Sequence, residues 1–459
     1  MALDTKNKLK LGVFLLSVAI CILTAILGEL SLQLLVLVSV GILVIIYFFS
    51  EFEKSVLGLL IIRSSLDLFS AQQLPALYGV GIEFLAILFV IVLIITGHSI
   101  QTDKFWLFLM SWALFQSMWL ILMLVGGLGF DDSYLSESIR EWVRLLLWPT
   151  IYLLVMQLKG RVSPSRIISS MFFSLPIPLV VALYQIRSGE LRVFSTFGHA
   201  NAFATFLLLF IVLAWWKLNN TQGHKWLWIA LISTLAFFLV STKALFSLVM
   251  LSICMLVITI SKVSPLKLIS GLLLIVFVIG LFASSEFGQE RLESVQKTPL
   301  GNPEITVSRA ILNSEIDSNS FNWRLSQWHK VLKAWEKHPN FGYGLGLSMQ
   351  SIDSKYLPHN EYIRAMVEGG IVGLGAFLTF FIALFLRTLN LYRSASDHKP
   401  RQDLCLSLSA LIAATMIGMI TENIWGHTVF LFYFFALLPI TGWEWTDDSI
   451  SSSKITSFP

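Results

Sequence analysis

Apolar runs about as long as a bilayer-spanning helix recur along nearly the whole chain, broken by short polar stretches. The first, 11–27, leads almost at once into a second, 32–49, so the two are read as a retained hairpin rather than a cleaved leader. Further spans are expected at 57–70, 81–97, 105–126, 140–157, 167–186, 200–216, 226–240, 244–261 and 265–284. A long polar stretch follows, and then three more spans at 369–386, 404–421 and 428–442, which brings the count to about 14. Inside the polar stretch, Leu325, Trp328, Val331, Leu332 and Trp335 recur at helical spacing, with Arg324, Lys330, Lys333 and Lys337 largely on other faces. That pattern predicts an amphipathic helix at the membrane interface, ended by Pro339. The fold class expected is therefore an all-α polytopic membrane protein with one large loop that carries an amphipathic helix.

Composition agrees, since 56% hydrophobic and 13% charged residues exclude a soluble globular domain. The net charge of +4 over 459 residues implies no nucleic-acid partner. Cys21, Cys254 and Cys405 all fall in apolar runs, which gives neither a disulfide framework nor metal-ligand spacing. No HExxH or clustered Cys/His/carboxylate pattern is present, so no metal and no cofactor are expected.

The placement of Lys and Arg orients the chain. With the N-terminus in the cytoplasm, the inward segments collect Lys6, Lys8, Lys10, Lys54, Lys104, Lys159, Arg161, Lys217, Lys225, Arg387, Arg393 and others, whereas the short outward ones hold only Arg187, Arg192 and Lys243. That asymmetry puts both termini inside and the large loop outside, beyond the reach of nucleotide donors. The division expected is a transmembrane bundle over 1–284, an extracytoplasmic catalytic loop over 285–367, C-terminal helices over 368–445 and a cytoplasmic tail over 446–459.

Basic residues on the outward side need another reason to be there. Arg140 and Arg144 open the sixth span, Arg192 precedes the eighth and Lys243 opens the tenth. Each can snorkel to lipid phosphates or pair with a neighbour such as Glu141 or Glu190, or can serve a site. Arg63 and Asp67, four residues apart, are read as a structural pair on one helix face. The run Gly342-Tyr343-Gly344-Leu345-Gly346 lacks a preceding strand and a following Gly-Lys-Ser/Thr, so it is read as a plain turn rather than a phosphate cradle.

After it comes Pro358-His359-Asn360-Glu361, which leads into Glu368-Gly369-Gly370-Ile371-Val372-Gly373. Pro358 suits the first turn of a helix, and this would put His359 near a helix N-terminus, where the potential favours a neutral, proton-accepting imidazole. A boundary histidine on its own is more often a hydrogen-bonded interfacial residue than a catalyst. Gly369, Gly370 and Gly373 would let another helix approach closely.

The segment from Arg324 to Gly373 resembles the signature region of the O-antigen ligase and Wzy-type polysaccharide polymerase superfamily. The resemblance rests on Arg324, Trp328, Pro339, the glycine turn, His359-Asn360 and Gly370 to Gly373. Phe197-Gly198-His199-Ala200-Asn201, with Arg192 upstream, resembles the family's Gly-rich, Asn-containing start of a span, and Ser241-Thr242-Lys243-Ala244 its Ser-Arg-Gly-type helix start. Lys243 stands where the family commonly has arginine, which keeps the charge but loses the planar fork.

Such membership implies transfer of saccharide from an undecaprenyl-diphosphate carrier to an acceptor hydroxyl on the outer side of the bacterial inner membrane. It implies His359 as proton acceptor, Arg324, Arg192 and Lys243 as contacts to the donor diphosphate, and Asn360, Asn201, Gly370 and Gly373 as supporting residues. The partners implied are the lipid-linked donor, an acceptor glycan or lipid-linked repeat, the bilayer, a flippase and chain-length proteins. A polymerase of exopolysaccharide or O-antigen repeats is favoured over a ligase acting on lipid A core. A secondary transporter is the competing class, suggested by the many spans, the Arg63/Asp67 pair, and Pro176 and Pro178 within the seventh.

Overall fold

The computed structural model describes residues 32–261, 265–314, 316 and 319–445. The basic N-terminus, the first apolar run, Cys21 and the 446–459 tail lie outside the described residues. The protein is all-helical, 75% helix, with no strand among the described residues. Its α-helices in chain order are α1 (Leu32–Ser50), α2 (Phe52–Ile62), α3 (Leu74–Ile95), α4 (Lys104–Gln116), α5 (Met118–Leu124), α6 (Leu135–Met156), α7 (Pro164–Phe172), α8 (Pro176–Arg187) and α9 (Ala200–Asn220). They continue with α10 (Lys225–Ser241), α11 (Leu245–Ile260), α12 (Pro265–Ala283), α13 (Glu286–Gln296), α14 (Val307–Asn313), α15 (Ser320–Trp335), α16 (Glu361–Ser394), α17 (Lys399–Gly418) and α18 (Thr428–Thr441).

Most apolar runs in the described chain become helices near their expected places, but fewer than expected are long and apolar enough to cross a membrane. Six are, namely Phe52–Gln72, Leu74–Ile95, Lys104–Leu124, Pro164–Arg187, Ala200–Asn220 and Glu361–Ser394, or up to seven if Gly271–Ala283 and Gly288–Gln296, bent by 90°, count as one. Length explains much of the difference: α18 has 14 residues, which spans only about 21 Å. The run at 57–70 is not one α-helix either, because α2 gives way at Arg63 to a 3-10 segment, Arg63–Gln72. The break ahead of Pro176 separates α7 from α8.

Two helices form the centre. Nearly every residue of α9 from Phe203 to Trp216 is buried, and all of α18 from Val429 to Thr441 is. A helix apolar on all faces has no side to offer water, so other helices enclose it. Around them α6 packs on α3, α4 and α18, and α17 on α9, α11 and α16. Cys254 and Cys405 are free thiols buried in this packing.

An aromatic cluster underlies one end of the bundle. Trp148 of α6 stacks on Phe435 of α18 with centroids 5.2 Å apart and meets the edge of Trp425 at 4.4 Å. Trp425 lies in the short connection between α17 and α18, and its backbone N–H donates to Glu361 Oε1 at 2.9 Å. The hydrophobic floor is thereby tied directly to the first residue of α16.

Candidate functional site

The start of α16 is fixed from three sides. Asn360 caps it, its side chain accepting from the N–H groups of Tyr362 and Ile363, each at 3.0 Å. Glu361 N donates to Met419 O at 2.9 Å, which holds the helix start against the end of α17. Trp328 of α15 donates from its indole to Pro358 O at 2.7 Å, and the ring of Trp323 meets that of His359 edge-on at 5.7 Å. Pro358 is therefore not in the first helical turn. The helix begins at Glu361, and His359 sits just ahead of the cap with φ +51°, in the left-handed region. A non-glycine residue held there marks a position that its surroundings over-determine.

The partner of His359 is a carboxylate. Nδ1 of His359 is 3.2 Å from Oε1 of Glu422, in the loop between α17 and α18. The buried Glu422 also accepts from the N–H of Asn423 at 3.1 Å and, on its other oxygen, from the side-chain amide of Asn201. Asn201 in turn accepts from Nη2 of Arg192 at 2.8 Å, and Nε of Arg192 donates to Thr242 O at 3.2 Å, the residue before Lys243. One chain of contacts thus runs His359–Glu422–Asn201–Arg192 and ends beside Lys243, joining four segments remote in sequence. Burial alone would raise the Glu422 carboxyl, but the bond and charge of His359 and the charge of His427 hold it at about 2.

Two further histidines stand around this carboxylate. His199 caps α9, its Nδ1 accepting from Asn201 N at 3.2 Å, and burial lowers its pKa against the pull of Glu422. His427 Nδ1 is 3.0 Å from Thr205 Oγ1, and burial, only partly opposed by Glu422, brings its pKa down to about 4. His199, His359, His427 and Glu422 line one cavity of about 390 Å³, closed in part by Met349 and Tyr356. A carboxylate on Nδ1 fixes the tautomer that leaves Nε2 of a neutral imidazole free to accept a proton. The structure thus adds a carboxylate partner to the helix start expected beside His359.

The remaining expected site residues are placed as follows. Arg324 lies on α15, with Nη1 donating to Ser320 O at 3.3 Å one turn back, and is adjacent to Trp323 rather than in the Glu422 chain. Lys243 turns with φ +54° between α10 and α11. At Gly370, φ is +65° and α16 kinks; an added Cβ would stand 2.1 Å from Asn340 O. At Gly369 and Gly373 an added Cβ would stand 3.2 and 3.3 Å from the Trp119 ring. What the glycines admit is thus a loop backbone at Gly370 and, at Gly369 and Gly373, the neighbouring helix α5 through the ring of Trp119.

A second polar cluster braces the same helix. Nε of buried Arg364 donates to Glu368 at 2.8 Å and Nη2 to Glu141 at 2.9 Å, while Nη1 is 3.6 Å from Glu361. Arg144 pairs with Glu141 as expected, and Arg63 pairs with Asp67 at 2.7 Å. Glu368 also accepts from the N–H groups of Gly346 and Ser348, at 3.0 and 3.4 Å. The glycine turn is thus a structural turn whose end is held by the protein's own carboxylate.

Glu422 and His427 were not legible as site residues. The available signal was that Glu422 is the only carboxylate between 404 and 442, set in a polar break between two apolar runs.

A helical membrane protein with a half-buried histidine held by a buried carboxylate, and basic groups flanking the pair, is the class that fold and site define. Residues 228–378 match the family model Wzy_C, O-antigen ligase, which supports the resemblance to the O-antigen ligase and Wzy superfamily over this part of the chain. The matched segment carries Lys243, Arg324, His359, Gly370 and Gly373, and leaves Arg192, Asn201 and Glu422 outside it. No curated protein matches the chain.

Proposed function

We propose that this protein is a membrane glycosyltransferase that moves saccharide units from an undecaprenyl-diphosphate carrier to an acceptor hydroxyl, on the outer face of the bacterial inner membrane. The observation that carries this reading is His359, held by Glu422 at 3.2 Å on the wall of a 390 Å³ cavity and linked through Asn201 to Arg192. A glycosyl diphosphate brings its own leaving group. The protein then has to bind the developing phosphate charge and take a proton from the attacking hydroxyl. Nε2 of His359 takes that proton, and Glu422 stabilises the resulting imidazolium. Arg192 and Lys243 contact the diphosphate, with Arg324 joining them from α15. On this reading the Trp323–His359 region faces outward, and a count near 14 spans requires the shorter apolar helices to cross as well.

A polymerase of exopolysaccharide or O-antigen repeats remains the favoured acceptor chemistry. The family description, O-antigen ligase, supports the other one, attachment to lipid A core. Deleting the chain separates them: loss of a glycan length ladder marks a polymerase, and full-length carrier-bound glycan left untransferred marks a ligase.

The direct test is transfer from purified lipid-linked donor in proteoliposomes. General-base assistance is worth about 10²–10⁴ in rate, so His359→Ala lowers transfer by at least that lower factor with folding unchanged. His359→Gln, which accepts no proton near neutral pH, stays low if His359 is a base and recovers if it only orients the acceptor. A wild-type rate in His359→Ala overturns the reading.

A further inference from the structure

Beside the His359 cavity lies a larger one, of about 650 Å³, that the proposed donor chemistry does not use. It is a crevice between α3 and α6. One face of α3 (Pro75, Ala76, Gly79, Val80, Glu83) forms one wall, and one face of α6 (Arg140, Arg144, Leu147 among others) forms the opposite wall. Met349 and Thr428 line both cavities, so the two share a partition.

The polar atoms in this crevice are incompletely matched. Arg63 is 2% exposed and spends Nη1 on Asp67 and Nη2 on Thr428, yet its buried Nε has no hydrogen-bond partner. The buried Nε of Arg144 and Oε1 of Gln350 likewise have none. All three residues line the crevice, and Arg140 adds a third guanidinium at its edge. Three guanidiniums, those of Arg63, Arg140 and Arg144, thus converge on one cavity from two segments, which suits an anionic occupant. Of the carboxylates there, Glu141 is engaged by Arg144 and Arg364, while Glu83 and Glu137 stand as further acceptors.

The occupant needs an anion for the guanidinium donors, hydroxyls for Gln350 and the carboxylates, and an apolar portion for Val80 and Leu147. Leu77, Phe84 and Ile87 on the outward side of α3 are exposed at 60%, 52% and 59%, as they are where a helix meets lipid, so an acyl or prenyl tail can leave the crevice sideways. We infer that this crevice binds the second substrate of the proposed transfer, a phosphorylated lipid carrying saccharide, whose acceptor hydroxyl reaches His359 past Met349. This rests on the glycosyltransferase reading. Methionine suits such a partition because its unbranched side chain changes shape readily.

Undecaprenyl monophosphate is the probe, and native mass spectrometry of the full-length protein in detergent counts the copies bound. Wild type binds two. Val80→Trp, a change at a lipid-exposed position, and Arg140→Ala each weaken one of them at least tenfold and leave the other, which also shows that the variant is folded. Arg192→Ala weakens the copy those variants keep. If Val80→Trp and Arg140→Ala both leave two copies at wild-type affinity, the crevice proposal is overturned. Displacement of the second copy by phosphatidylglycerol at equal concentration overturns it too, since that marks a site for bulk lipid. Displacement by lipid A but not by phosphatidylglycerol supports it and identifies a ligase acceptor. If Val80→Trp removes a copy while Arg192→Ala removes none, the crevice stands and the donor assignment fails.

Discussion

Glu422 holds His359 on one side and Asn201 on the other, so its charge serves two purposes that one substitution can separate. Glu422→Gln keeps the volume and the ability to accept from Asn201 or Asn423, but it removes the negative charge that stabilises imidazolium. Transfer is expected to fall by about two orders of magnitude or more, by analogy with carboxylates that orient a catalytic histidine. KM for the donor should change little if Arg192 and Lys243 carry donor binding, and a rise in KM alone would make Glu422 a binding residue. His427 gives a pH prediction. Its folded pKa of about 4 lies below the usual 6.5, so between those values the unfolded chain binds more protons. Stability is therefore fully present above about 6.5 and is lost as pH falls toward 4, by an amount of order 3 kcal/mol at most. Glu422, with its pKa depressed from 4.5 to about 2, adds a second loss lower down, as pH falls from 4.5 toward 2. Thermal unfolding in detergent from pH 7 to 4 checks this, and His427→Gln should flatten the upper part of the curve.

At the scale of elements, the joint between the glycine turn and α16 is the part most exposed to a single change. Gly370→Ala places a Cβ against Asn340 O and demands φ +65° of an L-residue, a strain of about 1–3 kcal/mol before the clash is counted. It should lower the melting midpoint and transfer together, whereas Gly375→Ala, with nothing within 4 Å of the added carbon, should cost neither. Differential scanning fluorimetry of both variants separates the two cases. The start of α16 was partly legible from its sequence, because Asn360 is a strong cap and the family resemblance singles out His359. The Arg63/Asp67 pair was legible for a similar reason, since i,i+4 spacing is local. What sequence could not supply was the filling of the glycine turn by Glu368, 22 residues away, or the meeting of Glu422 with His359 across 63 residues. Those contacts depend on how α17 and α18 return past α16, which hydropathy does not encode.

For the whole molecule, the apolar runs were legible because length and hydropathy determine them. Their fate as crossings was not, because burial inside the bundle and burial in lipid read alike in composition. Sidedness is the property on which the proposed chemistry depends. Leu300, 73% exposed in the long polar stretch, offers a position for a reporter. In a variant with Cys21, Cys254 and Cys405 replaced by Ser, Leu300→Cys is expected to react with a membrane-impermeant thiol reagent in intact spheroplasts. Labelling only after lysis would invert the topology and remove the lipid-linked donor from reach.

The kinked helix α16 also carries polar groups toward both of its ends. Above the kink lie Arg364 and its carboxylates; below it Arg387 donates to the hydroxyl of Tyr152 at 2.6 Å and lies 3.3 Å from Asp103, the residue that caps α4. From Glu368 to Arg387 the helix rises about 28 Å, close to the roughly 30 Å hydrocarbon core of a typical bilayer. Neither polar layer can sink into hydrocarbon cheaply, and α16 is bonded into both, so tilting it alone cannot absorb a change in membrane thickness. The lipid has to adjust instead. Bilayers near that thickness then suit this protein best, and on the proposed function acyl-chain length sets the depth at which His359 would meet a carrier whose own headgroup rides at the membrane surface.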